Sequence, residues 1–308
     1  MKTQTFHTPF HEGINPLAAQ LQIETNAWLY SSFHFLDQVK REQYLAANFS
    51  NAIARSFPHL QHWEQLCIFS KYLLWATLLE DHCMHTCPEK IRTVCDRIMD
   101  IFNGDLPDTN DHELVQLSEY ILRELSVHAS AEWVARFTTA FKDYYYNGLM
   151  AAYSFMEAQT FPPLQLLKLI RPRASGSYAY LTLLEIANDA VVPDEIFNHP
   201  VTERLRTLTA RIMAWENDFY SMEKKINTPE KYTNLILVMQ QHMGCSAQAA
   251  MEASLALKNA DLEEFTILQN HIPDFGMFNA KITSYLNNAA GVIQVARSWY
   301  KLDTKRYS

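Results

Sequence analysis

Residues 215–225 read Trp-Glu-Asn-Asp-Phe-Tyr-Ser-Met-Glu-Lys-Lys. Asn217, Ser221 and Lys225 recur at every fourth position, so a helix stacks all three on one face. An amide oxygen and a hydroxyl one turn apart are hard ligands of the kind Mg²⁺ accepts, and a magnesium held there would in turn hold phosphate oxygens. Upstream, Glu80 and Asp81 end an apolar run that begins Trp75-Ala76-Thr77-Leu78-Leu79. Taken alone, such an acid pair is more often a solvated helix end than a metal site. Arg171 lies in Leu-Ile-Arg-Pro-Arg-Ala-Ser-Gly, 46 residues before Asn217, and by itself that segment reads as a surface turn. The C-terminal stretch from Trp299 to Arg306 and Tyr307 would likewise be an ordinary basic tail.

In this order and spacing, the four segments resemble the motifs of class I terpene synthases of the bacterial sesquiterpene and diterpene cyclase type. The Asn-Asp-x-x-Ser face is similar to that family's second metal motif, with Lys225 where the family carries Glu. Glu80 and Asp81 stand where the family has its aspartate-rich motif, and Met84 or His85 occupies the place of the distal acid. Arg171 resembles the diphosphate-sensing arginine. Ala174, Ser175 and Gly176 follow it in the linker and effector places, and a glycine there permits a helix kink that turns carbonyls toward a bound cation. Lys224 falls at the family's diphosphate contact, with Asn234 following, and Trp299-x6-Arg306-Tyr307 resembles the terminal Arg-Tyr pair that closes over the diphosphate.

The resemblance covers about residues 15 to 307. It implies an all-α, single-domain helical barrel or bundle around a central apolar cavity. It also implies a carbon–oxygen lyase that ionises and cyclises an isoprenyl diphosphate, with farnesyl diphosphate as substrate and geranylgeranyl diphosphate as the alternative. A second alternative is a degenerate protein that binds an isoprenoid diphosphate without turning it over. The implied roles are catalytic for Arg171, Lys224, Arg306 and Tyr307, and substrate contact for Trp75, Ala76, Thr77, Ser175, Gly176 and Trp299. Glu80, Asp81, Asn217 and Ser221 are the implied metal ligands, for three Mg²⁺ in the family pattern and fewer if Lys225 removes one.

The elements that must position these groups are helices. Only seven glycines occur among 308 residues, too few for strand-and-turn architecture, and apolar residues recur at helical spacing in stretches such as Leu114 to Val127. Loop signals fall at 103–108, at Phe161-Pro162-Pro163, around Pro193 and Pro200, at Asn227-Thr228-Pro229 and at Ile272-Pro273-Asp274. With no repeat and no shift in composition between them, one domain over 1–308 is expected.

A formal charge of −8 argues against nucleic acid as partner, because phosphate backbones demand a basic face. No apolar run is long enough to span a bilayer, so no stable membrane insertion is expected, and the location expected is cytoplasmic, as a monomer or homodimer. Five cysteines, an odd number, are expected to be reduced thiols. His82, Cys83, His85 and Cys87 lack the second half of a zinc ligand set and are read as bystanders, with Cys83 and Cys87 on one helix. No Glu-x-x-His pair suggests a di-iron bundle. The Tyr144-Tyr145-Tyr146 run and the six tryptophans are expected to be mostly ordinary helical core, with a few aromatics facing a hydrocarbon ligand.

Overall fold

Capping residues cut the chain into helices at nearly every loop signal. The computed structural model describes residues 13–84 and 86–307, and among them there is no strand. The first six α-helices are α1 (Ala18–Ser32), α2 (Gln38–Ala47), α3 (Phe49–Ser56), α4 (Trp63–Met84), α5 (Pro88–Phe102) and α6 (Glu113–Ser126). Next come α7 (Ala131–Asp143), α8 (Met150–Glu157), α9 (Leu164–Ala174), α10 (Ser177–Ile186) and α11 (Asp194–Phe197). The last four are α12 (Pro200–Lys225), α13 (Leu235–Met243), α14 (Ala247–Gln269) and α15 (Asn279–Leu302). Asp37, Ser130 and Ser246 each accept a backbone N–H of the first turn of the helix that follows, and Pro88 and Pro200 open α5 and α12, where their missing N–H costs nothing. Asn48 and Gly244 adopt left-handed backbone and stop α2 and α13.

Helix α4 runs through the middle of the bundle with buried residues on several sides, from Leu66 to Cys83. Three fully buried tryptophans tie helix pairs together, because an indole N–H taken from water must find an acceptor. Trp75 donates to the Leu114 carbonyl at 2.8 Å, Trp133 to the Thr182 carbonyl at 2.7 Å and Trp215 to Asp261 at 2.9 Å, which joins α4 to α6, α7 to α10 and α12 to α14. The α12–α14 seam also holds the buried Lys258–Glu216 and Arg211–Asp261 ion pairs.

Two local departures from regular helix matter for the site. The run Tyr144–Leu149 is π-helical, with Tyr144 and Tyr145 buried and Tyr146 at the surface. It brings Gly148 so close to α9 that a Cβ there would meet the Ala174 nitrogen at 2.5 Å. The second departure is the break between α9 and α10, where Gly176 takes φ +69°. Cys87 differs from expectation. It precedes α5 and is exposed, because Pro88 starts a new helix, so it does not share a helix with buried Cys83. No helix among the described residues is long and apolar enough to cross a membrane.

Candidate active site

The inner faces of α3, α4, α10, α12 and α15, with the end of α7, enclose a cavity of about 190 Å³. Packing defects rarely exceed a water molecule, and an engineered apolar cavity of ~150 Å³ already takes up benzene. A space of this size can admit a small apolar group. Phe49, Phe141, Tyr144, Tyr180, Trp299 and Tyr300 put aromatic surface around it. The Tyr180 hydroxyl is bonded to Ser56 at 2.8 Å, whereas that of Tyr144 has no partner among the described residues.

On α4, Tyr72, Leu73, Ala76, Thr77 and Glu80 form one stripe along the cavity, at the three- and four-residue steps of a single helix face. Trp75 is a correction. Expected at the cavity wall, it lies off that stripe, fully buried toward α6, where its indole bonds the Leu114 carbonyl. The small residues Ala76 and Thr77 therefore face the cavity without Trp75 beside them, and Trp299 lines the space as an aromatic neighbour.

The polar end of the cavity is assembled from segments far apart in sequence. Arg171, 4 % exposed, donates from Nε to Asp218 Oδ1 at 3.0 Å and from a terminal nitrogen to Asn217 Oδ1 at 2.8 Å, and the same terminal nitrogen lies 2.9 Å from Asp218 Oδ1 as an ion pair. The other Asp218 oxygen accepts the Leu235 N–H at 2.9 Å, while Asn234 caps α13 and donates back to the Asp218 carbonyl. Asp218 thus positions Arg171 and the start of α13 together. Sequence reasoning passed over it because its neighbour Asn217 carried the motif; the available signal was an acid placed where the helix face is buried.

The C-terminal tail crosses the mouth of the cavity. Arg55 and Asn51 hold Asp303, the Lys305 N–H reaches the Ala46 carbonyl, and Trp299 donates to the Asn48 carbonyl. Beyond these anchors, Arg306 pairs with Asp81 at 2.7 Å, and the Asn217 amide donates to the hydroxyls of Tyr300 and Tyr307 at 2.7 and 3.0 Å. The tail therefore links the acid end of α4 to the Asn217 face of α12. Lys224 is exposed, with its ammonium 5.8 Å from the Tyr307 ring centroid. Ser175 and Gly176 sit at the cavity wall beside the helix break.

The two acids differ electrostatically. Burial, with Asp81 beside it, raises the Glu80 pKa above the ordinary carboxylate value against the pull of Lys225, Arg171 and Arg306, and its carboxylate has no bonded partner among the described residues. Burial also works against ionised Asp81. There, however, the charge and hydrogen bond of Arg306, the Tyr44 hydroxyl at 2.7 Å and the charge of Lys224 outweigh it and hold the pKa down.

A divalent cation finds an unengaged carboxylate on one wall and not on the other. On α4 that carboxylate is Glu80, a hard oxygen donor suited to Mg²⁺, while both oxygens of its neighbour Asp81 are held, one by Arg306 and one by Tyr44, so Asp81 becomes a ligand when Arg306 releases it. On α12, the fully buried Ser221 hydroxyl lacks any partner among the described residues and could serve as a donor. Yet Asn217 Oδ1 already receives Arg171 and, at 3.4 Å, the Lys225 ammonium, which Glu230 holds from the other side at 3.2 Å. Among the described residues, no three His, Cys, Asp or Glu side chains converge as a metal cluster; His85 lies outside those residues.

Comparison with known proteins places the chain by family and fold. The family model described as terpene synthase family 2, C-terminal metal binding, matches residues 71–264. The chain is 24 % identical to germacrene A synthase of Nostoc punctiforme, over 95 % of this chain and 91 % of that one. It is also 24 % identical to the (2E,6E)-farnesyl diphosphate-cyclizing (+)-T-muurolol synthase of Roseiflexus castenholzii, over 97 % and 92 %. The crystal structure of a-eudesmol synthase superposes with a TM-score of 0.84 at 20 % identity, over 97 % of this chain and 99 % of that one. The all-α bundle is that fold.

Proposed function

The chain belongs to the terpene synthase family, as a class I terpene cyclase, and we propose that it ionises and cyclises farnesyl diphosphate with magnesium as its metal. The observation that carries this reading is an aromatic-lined apolar cavity that ends in a cluster of Arg171, Arg306, Glu80 and Asp81. Such a cavity suits a hydrocarbon chain whose charged end must remain at the mouth.

The reaction breaks the bond between substrate carbon 1 and the diphosphate oxygen, and both electrons leave with the oxygen. Arg171 and Arg306 meet that developing charge with planar guanidinium forks, Lys224 adds charge at the rim, and the Tyr307 hydroxyl adds a hydrogen bond. Glu80 and Asp81 would hold magnesium, which would supply Lewis-acid stabilisation to the same leaving group. Arg171 is already aimed, since Asp218 and Asn217 fix it. Arg306 must exchange Asp81 for the diphosphate, which couples substrate binding to the position of the tail.

The allylic cation left behind faces the rings of Phe49, Phe141, Tyr144 and Trp299, whose negative π faces stabilise positive charge while a substrate double bond supplies the electrons for ring closure. The released diphosphate then takes a proton from a carbon next to the cationic centre, and that C–H bonding pair becomes the double bond of the neutral product. Water admitted earlier would quench the cation to an alcohol, so the tail across the mouth has a chemical purpose.

Incubation with the C10, C15 and C20 diphosphates plus Mg²⁺, followed by extraction and mass spectrometry, tests the reading. Cyclic C15 products that disappear in excess EDTA are expected. Full turnover in EDTA refutes metal dependence, preference for the C20 substrate replaces farnesyl with geranylgeranyl diphosphate, and tight binding of all three without product marks a non-catalytic binder.

A further inference from the structure

Asn217, Ser221 and Lys225 share the face of α12 on which a metal ion was expected, but the contacts there describe a cation already in place. An amide oxygen has two lone pairs. On Asn217 both are engaged, one by Arg171 at 2.8 Å and the other by Lys225 at 3.4 Å. The ammonium is not a solvated terminus: its side chain is 15 % exposed, and Glu230 from the 3₁₀ turn after α12 holds it at 3.2 Å. Helix α12 continues through Lys225, so the side chain has not been turned away from the face that carries Asn217 and Ser221. Between them lies the Ser221 hydroxyl, buried and unpartnered among the described residues.

We propose that the Lys225 ammonium is a resident cation that replaces a metal ion on the α12 wall and contacts the diphosphate itself. This rests on the diphosphate-ionising reading above and specifies its charge arrangement. Two of the three ammonium donors are spent on Asn217 and Glu230, which leaves one for a phosphate oxygen. The α4 wall, with Glu80 and Asp81, then becomes the side that loads divalent metal. A protonated lysine cannot ligate a metal, and at this position it repels one, so the same side chain both excludes the ion and puts a single positive charge in its place.

Counting bound metal tests this without reference to turnover. Mn²⁺ is titrated into the protein with saturating inorganic pyrophosphate and counted by electron paramagnetic resonance, for wild type, Lys225→Glu and Lys225→Gln. Lys225→Glu is expected to bind one more Mn²⁺ per chain than wild type. Lys225→Gln is expected to keep the wild-type count and to weaken pyrophosphate binding by about tenfold, the loss of one charge-assisted hydrogen bond. Equal counts in wild type and Lys225→Glu overturn the proposal, as does a Lys225→Gln affinity within twofold of wild type, with circular dichroism showing each variant folded. If wild type cyclises farnesyl diphosphate and the counts are nevertheless equal, only the role of Lys225 is lost. If wild type neither binds pyrophosphate nor forms product, the diphosphate reading itself fails.

Discussion

Replacing Asp218 by Ala should cost the protein a large share of its stability, although Asp218 belongs to none of the groups expected to touch substrate. Its carboxylate is fully buried and engages Arg171, itself 4 % exposed, through two nitrogens at 3.0 and 2.9 Å. Removing one partner of a buried ion pair typically costs about 3–5 kcal/mol, because the remaining charge is stranded out of water. Here Asn217 still accepts one Arg171 hydrogen bond, which places the expected cost toward the lower end of that range. The Leu235 N–H loses its acceptor as well, and a buried unsatisfied donor costs about 1–3 kcal/mol. The Asn234 side chain shares that helix start but accepts from Ile236 and Leu237, so it does not replace the lost bond.

Together these losses come to roughly 4–6 kcal/mol, against a total of about 5–15 kcal/mol for a typical domain. Asp218→Asn keeps one acceptor but must turn its amide toward either Arg171 or the Leu235 N–H, and should lose about 2–3 kcal/mol. Urea unfolding followed by circular dichroism measures both variants, and kcat/KM of Asp218→Asn should fall as Arg171 loses its aim. An Asp218→Ala variant within 1 kcal/mol of wild type would refute the reasoning, because Arg171 would then be held by Asn217 alone.

Acidification should destabilise the protein through His112, whose Nδ1 accepts the Leu114 N–H at the start of α6. Burial holds its pKa below the ordinary 6.5 despite Glu113, and that of neighbouring His82 is lowered by burial, by His112 and by Lys90. Because the folded values lie below the unfolded ones, this stability is present above pH 6.5 and is lost as pH falls from there through the folded values. His112→Asn, a cap that does not titrate, should flatten the decline of Tm below pH 6.5; an identical decline in the variant would exclude this cause. Gly148→Ala should destabilise by roughly 1–3 kcal/mol or more, since its Cβ would stand 2.5 Å from the Ala174 nitrogen and 2.6 Å from the Arg173 carbonyl carbon, backbone that cannot swing aside. Thermal unfolding checks it, and a Tm unchanged from wild type would mean that the π-helical turn and α9 separate freely.

What the sequence determined by itself was local. Four-residue spacing assigned Asn217, Ser221 and Lys225 to one helix face, Gly176 marked the break between α9 and α10, and scarce glycine with recurrent apolar periodicity required helices. These features were legible because helix geometry, capping and left-handed glycine backbone depend on residues only a few positions apart. Which groups would meet was decided by tertiary structure. Trp75 and Ala76 are adjacent in sequence, yet the packing of α6 against α4 takes one away from the cavity and leaves the other at its wall. Arg306 and Asp81 are separated by 225 residues and become partners only because Asp303 and Trp299 anchor the tail beside α3. Asp218 reads as motif context in sequence and becomes the support of Arg171 only when α9 lies against α12. Charge pairing acts over a few ångströms of space, so its outcome depends on how the helices pack, which spacing along the chain does not specify.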